Sequence, residues 1–365
     1  MSDFEPDYWR PQAPKSNRRR FAGFGFLALF TAGLIALVFL PTPYVIESPG
    51  PVFNVLATDN GEPVISAPDA KTYETKGELD LLTVNVLGSR RSTPSWLEVG
   101  MAWLDPAKVV TPIDAIYPEG QSFSQVEAES SAMMEQSQQD AIAVALNKLG
   151  YQTPTEIYIS EVSKSSPSSG KLRATDFIKA INGTKVTDID QMRKLIGAWP
   201  GGDPLKVQIE RAGQLVTQQI TPVKNSDGVY RLGILVGLKY DFPVSVNLKL
   251  SDVGGPSGGM IFALGIYDVL TPGYLLGGEH IAGTGTIDSK GNVGPIGGIR
   301  QKLYGAQRAG AKYFLAPAEN CSEVAGHVPD GLQVIKVSNF NQALKAVEAI
   351  GTGSGVENLA SCSAN

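Results

Sequence analysis

Apolar and polar positions follow different periods in different stretches of the chain. Residues 41–120 contain short alternating runs such as "LDLLTVNVL" (79–87), and alternation is typical of strands. Residues 124–149 instead repeat apolar positions at helical spacing, and residues 226–350 switch between strand-like and helix-like runs. A chain that mixes the two periods in this way predicts an α+β fold.

A longer apolar run without charges covers residues 21–40. Twenty helical residues would cross the roughly 30 Å hydrocarbon core of a bilayer. Arg18, Arg19 and Arg20 precede the run, and positive charge favours the cytoplasmic side. The pattern therefore predicts a cytoplasmic basic tail (1–20), one transmembrane helix (21–40) that contacts the lipid bilayer of the cell membrane, and an extracytoplasmic remainder. A cleaved signal peptide is the alternative, but its apolar region would be shorter and would end at an A-x-A-like site, which this segment lacks.

Composition narrows the class of protein. The chain has 31 Lys and Arg against 36 Asp and Glu, a net charge of −5, and no basic stripe beyond its N-terminus. We therefore expect no nucleic-acid partner. The only histidines are His280 and His327, which limits the catalytic triads that the chain can build. The sequence leaves open whether Cys321 and Cys362 form a disulfide.

Residues 152–224 read as a separate module of strands with one short helix. The segment "SSPSSGKLRATDFIKAINGTKV" (165–186) resembles the PDZ domains attached to bacterial proteases. Thr175 departs from the pattern, since glycine usually precedes the aspartate. The resemblance implies an inserted β-domain that binds an extended peptide as an added strand, with a carboxylate-binding loop near residues 151–156. The positions that match the pattern are Leu172, Asp176, Ile178, Ile181, Asn182 and Gly183.

The stretch "GGPSGGM" (254–260) contains a G-x-S-x-G pattern around Ser257. A phosphate loop is excluded, because no Lys follows these glycines as a Walker motif requires, and any activity should be independent of ATP. An α/β-hydrolase would need an acid and then a histidine later in the chain. His327 lies in a turn-like segment and His280 lies just ahead of an apolar strand, so neither is favoured as the base. A helix cap in a glycine turn is the structural alternative for Ser257.

A buried lysine can activate a serine instead, because burial favours the neutral amine that accepts a proton. Lys302 fits this role, since Ile299, Leu303 and Ala306 surround it at helical spacing. Pro256 is a favourable first helical residue, which places Ser257 at a helix N-terminus. Backbone N–H groups around the serine, including those of Gly255 and Gly258, are predicted to hold an oxyanion there.

The segment from "GGPSGGMIFALG" through "IAGTGTIDSKGNVGPIGGIRQKLYGAQRAG" resembles the protease domain of the Lon family. The resemblance implies a catalytic dyad of Ser257 and Lys302, with Thr284 positioning the lysine. It implies no cofactor or metal, and it makes a homo-oligomer possible. The chain departs from the family at Gly254, where an acidic residue is usual, at Thr286, where glutamate is usual, and at Gly258, where alanine is usual.

Two upstream segments, "YVIESPGPVFNVL" (44–56) and "MMEQSQQDAIAVAL" (133–146), also resemble this group, specifically the bacterial Lon-like proteases that carry a membrane anchor and a PDZ domain. The predicted order is therefore an N-terminal part of the Lon-like domain (44–150), the inserted PDZ domain (152–224), the catalytic part (226–350) and a flexible tail (351–365).

The function expected from these features is that of an ATP-independent, membrane-anchored serine endopeptidase. Its substrates would be extracytoplasmic or membrane-proximal proteins or peptides, some of them bound through the PDZ domain. The alternative is a non-catalytic PDZ scaffold on a Lon-like fold.

Overall fold

The computed structural model describes residues 25–33, 40–120, 123–225, 227–250 and 253–362. The strands are β1 (Tyr44–Asn54), β2 (Thr58–Asp59), β3 (Glu62–Pro63), β4 (Ile65–Ser66), β5 (Glu78–Leu87), β6 (Val109–Pro112), β7 (Thr155–Val162), β8 (Phe177–Ile181), β9 (Thr184–Lys185), β10 (Leu205–Arg211), β11 (Gln214–Ile220), β12 (Val223–Lys224), β13 (Tyr230–Arg231), β14 (Ile234–Tyr240), β15 (Asn247–Leu248), β16 (His280–Gly283), β17 (Thr286–Ile287), β18 (Val293–Gly294), β19 (Tyr313–Pro317) and β20 (Gln333–Val337). The helices are α1 (25–33), α2 (Trp96–Ala102), α3 (Ile113–Ile116), α4 (Phe123–Lys148), α5 (Ile189–Gly197), α6 (Gly259–Leu270), α7 (Ile299–Ala309), α8 (Cys321–Val324) and α9 (Phe340–Thr352).

The chain divides into two compact units, of which the smaller comprises residues 1–48 and 86–119. Within it, residues 44–47 of β1 pair antiparallel with β6. Ile46 packs against Val99 and Ala102 of α2 in a small apolar cluster. Ser95 begins α2 with a capping box, because its side chain accepts from the Glu98 N–H while the Glu98 carboxylate accepts from the Ser95 N–H.

The larger unit comprises residues 49–85 and 120–365, and its described residues form two large sheets and four two-stranded sheets. In the first sheet β20, β19, β16, β5 and β1 lie side by side, and the β5, β16, β19 and β20 neighbours run parallel. Successive side chains alternate between its faces. Leu81 and Ile281 join the core that includes residues of α4, α6 and α9, whereas Leu82 and Ala282 pack with the apolar face of α7. The mixed α and β architecture predicted from the sequence is confirmed at this level.

The second sheet has the order β11-β10-β8-β7-β14, and its core joins these strands to α5. Its last strand, β14, pairs antiparallel with β7. The sequence analysis assigned this strand to the catalytic segment (226–350), because apolar alternation identifies a strand but not its partner. Here the second sheet continues past residue 224.

The predicted membrane helix is not supported by the structure. Of residues 21–40, the structure describes residues 25–33, which are helical, and residue 40. Across the described parts of the chain, no helix has the length and apolar character needed to cross a bilayer. The prediction of a single-pass cell-membrane protein is therefore wrong, and the predicted contact with the lipid bilayer is not shown. Residues 1–24 and 34–39 lie outside the described residues.

The C-terminal segment is tied to the first sheet as far as residue 362. The Lys336 N–H of β20 donates to the Ala360 carbonyl over 2.7 Å. Cys362 forms a disulfide with Cys321, which answers the pairing that the sequence left open. These links correct the predicted flexible tail (351–365) over its described residues.

Candidate active site

Ser257 lies in a short 3₁₀ turn, Pro256–Gly258, that runs directly into α6. Gly255 precedes the turn with φ of 83°, a left-handed conformation that side chains other than glycine rarely adopt. A Cβ at Gly258 would lie 2.4 Å from Leu81 Cδ1. Leu81 therefore occupies the space that an alanine at this position would need, which explains one departure from the Lon pattern.

Lys302 extends from α7 to the serine and is only 2% exposed. Its Nζ lies 2.8 Å from Ser257 Oγ and 2.9 Å from Thr284 Oγ1. The Thr284 hydroxyl in turn donates to the Ser257 carbonyl over 3.0 Å. Thr284 follows β16 directly. Its hydroxyl therefore contacts both Lys302 Nζ and the Ser257 carbonyl at the end of this strand. The structure thus brings together the three side chains that the sequence analysis selected.

Burial controls the charge of the lysine. Removal from water lowers the pKa of Lys302 from 10.5 to about 7, because the ammonium loses its hydration. The two groups hydrogen-bonded to Nζ are neutral hydroxyls. A substantial fraction of Lys302 is therefore a neutral amine near pH 7, which can accept a proton from Ser257.

Helix α4 supports the loop that carries Ser257 (residues 254–258, the serine loop), a role that the sequence analysis missed. The Gly255 N–H donates to the Ser130 carbonyl over 3.0 Å, and the Ser137 hydroxyl donates to the Pro256 carbonyl over 2.8 Å. A Cβ at Gly254 would lie 2.5 Å from Ser130 Oγ. The Ser130 hydroxyl thus fills the space that an acidic side chain at position 254, usual in Lon proteases, would need.

The backbone donors near Ser257 differ from those expected. The Gly255 N–H is engaged with Ser130, and Pro256 has no N–H. The amides of Ser257 and Gly258 lie in the first helical turn, where N–H groups have no acceptor within the helix. Gly258 therefore keeps the position predicted for an oxyanion donor, and Gly255 does not.

Neither histidine takes part in this arrangement. His280 Nε2 lies 2.6 Å from Asp80 Oδ2, and His327 Nδ1 lies 3.1 Å from the Ala325 carbonyl. His280, Asp80 and Glu78 are near enough for three donor atoms to surround a cation, with those atoms within 4.8 Å of one another. No hydrogen bond joins a histidine to Ser257 among the described residues, which agrees with the rejection of a hydrolase triad.

A groove of about 750 Å³ opens beside the serine. It is lined by residues of β1 and β5, by Met134 of α4, by the serine loop, and by Gly297 and Lys302. Strand β5 continues to Leu87, whereas its parallel neighbour β16 ends at Gly283, opposite Leu81. The groove therefore lies where the sheet loses one strand.

Comparison with known proteins identifies two domains. Residues 251–349 match the Lon protease (S16) C-terminal proteolytic domain, and residues 120–221 match the PDZ domain. The chain contains a Lon-type proteolytic domain and a PDZ domain. This confirms both resemblances seen in the sequence, and the Lon-type domain indicates a protease. The matches carry no information about a membrane anchor.

The curated relatives that match this chain include several Lon proteases. The Lon protease of Rickettsia felis is 35% identical over 118 residues, 30% of this chain and 15% of the relative. That of Azospirillum brasilense is 31% identical over 147 residues, 40% of this chain and 17% of the relative. That of Buchnera aphidicola is 29% identical over 192 residues, 46% of this chain and 24% of the relative. The chain thus spans under a quarter of each relative's length.

Solved structures of PDZ domains also match. The PDZ domain of the SdrC-like protein from Listeria innocua is 23% identical, covers 22% of this chain and 92% of that chain, and has a TM-score of 0.21. The corresponding domain from Listeria monocytogenes is 21% identical, covers 22% of this chain and 85% of that chain, and also has a TM-score of 0.21.

Proposed function

We propose that this protein is an ATP-independent serine endopeptidase that uses a Ser257–Lys302 dyad. The observation that carries the proposal is the 2.8 Å contact between Lys302 Nζ and Ser257 Oγ, made by an amine whose pKa burial lowers to about 7. An amine with that pKa can serve as a general base near neutral pH. ATP-independence rests on the lack of a phosphate-loop motif in the sequence.

The chemistry follows acyl transfer in two steps. Lys302 takes the Ser257 proton as Oγ attacks the scissile carbonyl, and it then gives that proton to the leaving amine. The amides of Ser257 and Gly258 stabilise the oxyanion at the helix N-terminus. Thr284 keeps Nζ aligned with Oγ by accepting a hydrogen bond from the amine. Water then attacks the acyl-enzyme while Lys302 accepts the water proton, and Lys302 returns that proton to Ser257 Oγ as the bond between the acyl carbon and Oγ breaks.

The end of β16 suggests how a peptide substrate binds. The Glu78 N–H donates to the carbonyl of Glu279, the residue before β16. Because backbone groups alternate between the two sides of a strand, the N–H and C=O groups of every second residue of β5, counted from Glu78, point toward β16. Val84 is one of these residues, and it lies beyond the last paired position of β16. An extended substrate can pair with Val84 and continue the sheet past Gly283, which brings its backbone alongside Ser257.

The PDZ domain offers a second peptide groove. Strand β14 is the edge of its sheet, and the groove beside it is lined by residues 229–236 together with Ile189, Met192 and Ile196 of α5. An extended peptide added beside β14 would fill this groove. In our proposal, the PDZ domain recruits protein substrates by binding them in this way. Residues 151–156, predicted near a carboxylate-binding loop, do not line the groove, since Thr155 pairs at the Tyr240 end of β14.

The direct test is digestion of an unfolded protein such as casein by the full chain without ATP. We expect cleavage by the native protein and no change when ATP is added. Ser257→Ala and Lys302→Ala should abolish cleavage, and Lys302→Arg should too, because arginine stays protonated. Lys345→Arg, at an exposed lysine of α9, is the matched control and should cleave normally. Cleavage that survives Ser257→Ala would contradict the proposal, and peptide binding without any cleavage would favour the scaffold.

Self-association is a separate part of the proposal. Light scattering on the purified chain distinguishes a homo-oligomer from a monomer.

A further inference from the structure

Asn320 binds the turn that precedes helix α7, and its side chain is only 6% exposed. Its Oδ1 accepts a hydrogen bond from the Ile296 N–H over 2.9 Å, and its Nδ2 donates to the Ile296 carbonyl over 2.9 Å. One buried side-chain amide thus satisfies both backbone groups of a single residue, as a paired strand would. The main chain of the turn is therefore fixed at Ile296 by a residue 24 positions further along the chain.

The turn that Asn320 binds touches two parts of the candidate active site. Gly297 lines the groove beside Ser257. Gly298 has φ of 70° and caps α7, and its carbonyl accepts a hydrogen bond from the Lys302 N–H over 3.1 Å. A displacement of this turn would therefore move both the wall of the groove and the first turn of the helix that carries Lys302.

The turn and the residue that binds it differ in how firmly each is held. Gly297 and Gly298 follow one another in the turn, and glycine restricts the backbone less than any other residue. Asn320 is anchored more firmly, because Cys321 directly after it forms the disulfide with Cys362. The two hydrogen bonds thus join an anchored segment to a turn whose glycines permit other conformations.

We propose that Asn320 is a positioning residue for the dyad. By binding the Ile296 backbone, it keeps the start of α7 in place and so keeps Lys302 buried and aligned with Ser257. This rests on the proposed endopeptidase function. Asn320 does not line the groove, so it acts through the turn. Without its two hydrogen bonds the turn shifts, water reaches the lysine, and Nζ is no longer aligned with the serine Oγ.

The first test compares Asn320→Ala with the native full chain on one fluorogenic peptide. We expect kcat/KM to fall about 10- to 100-fold, the effect of a small misplacement of the reacting groups. The pH at which log kcat/KM levels off should also move upward from about 7, because a hydrated lysine keeps its proton to higher pH. Glu319→Ala, at the exposed neighbour, is the matched control and should change neither quantity. An unchanged kcat/KM, or a lower one with an unchanged pH profile, would overturn the proposal.

Amide hydrogen exchange, followed by NMR, tests the turn without turnover. The Ile296 N–H should exchange about tenfold faster or more in Asn320→Ala than in the native protein. The amide of Phe314 in β19 should keep its rate, which excludes misfolding of the variant. The pKa of Lys302, followed through its side-chain signal, should rise in the same samples. Equal exchange at Ile296 in both proteins would overturn the proposal, whereas faster exchange and a raised pKa without cleavage by the native protein would overturn only the proposed function.

Discussion

Replacing Lys302 by methionine should stabilise the protein, by an amount that depends on pH. The pKa of Lys302 is about 7 in the folded protein and 10.5 in the unfolded chain, so the unfolded chain binds more protons between these values. The stability of the native protein must therefore rise with pH through this window. Methionine is similar in length, carries no charge and removes this dependence.

The magnitude follows from the pKa difference. Each unit is equivalent to about 1.36 kcal/mol, so the buried lysine costs about 5 kcal/mol at pH 6 and about 2 kcal/mol at pH 9. Methionine also loses the two hydrogen bonds to Ser257 and Thr284, each of about 1 kcal/mol. That loss lowers the gain at every pH, but the change of about 3 kcal/mol between pH 6 and pH 9 remains.

The assay is urea unfolding of the native protein and Lys302→Met at several values between pH 6 and pH 9, followed through the difference in unfolding free energy. The advantage of Lys302→Met should be largest at pH 6 and should shrink as the pH rises. Lys345→Met, at the exposed lysine of α9, should show a difference that stays flat. A flat difference for Lys302→Met would refute the argument that Lys302 is a buried amine with a lowered pKa.

Other predictions concern the groups around the dyad. Thr284→Val should lower kcat/KM about fivefold, because the lysine loses a hydrogen bond of about 1 kcal/mol, and Thr284→Ser should restore most of the activity in the same peptide assay. Gly254→Asp introduces an acidic residue, as is usual in Lon proteases, and should lower activity and melting temperature because its Cβ would meet Ser130 Oγ at 2.5 Å. Adding Ser130→Ala should restore both the activity and the melting temperature. If it does not, the Ser130 hydroxyl is not the obstacle. Reduction of the Cys321–Cys362 bond should lower the free energy of unfolding by about 2–4 kcal/mol, measured with and without dithiothreitol.

The dyad was predictable because its chemistry is local in two motifs. Ser257 was placed at a helix N-terminus by the proline and glycines around it, and Lys302 was selected by the apolar residues at helical spacing beside it. The structure places the two side chains in hydrogen-bond contact. Their catalytic roles stay a prediction until activity is measured.

The support for the serine loop was not predictable in the same way. Ser130 and Ser137 precede Ser257 by more than a hundred residues, and polar residues on a long helix usually face solvent. Their spacing of seven, two helical turns on the same face as the buried Met134, was the available signal. Without α4 in place, the empty position at Gly254 had no explanation.

The remaining errors came from patterns that do not specify an environment. Alternation in residues 231–240 identified a strand, but nothing in it distinguishes the edge of the PDZ sheet from the catalytic sheet. The apolar run of residues 21–40 met the length criterion for a membrane span, yet no described helix is long and apolar enough to cross a bilayer.

The pH dependence of kcat/KM for a single peptide substrate tests the central claim most directly. If Lys302 is the general base, log kcat/KM plotted against pH should rise with a slope of one at low pH and level off above an apparent pKa of about 7. The reason is that the protonated amine cannot accept the Ser257 proton. Lys302→Arg should be inactive throughout this range. A rise only near pH 10, or a profile that Lys302→Arg leaves unchanged, would contradict the account.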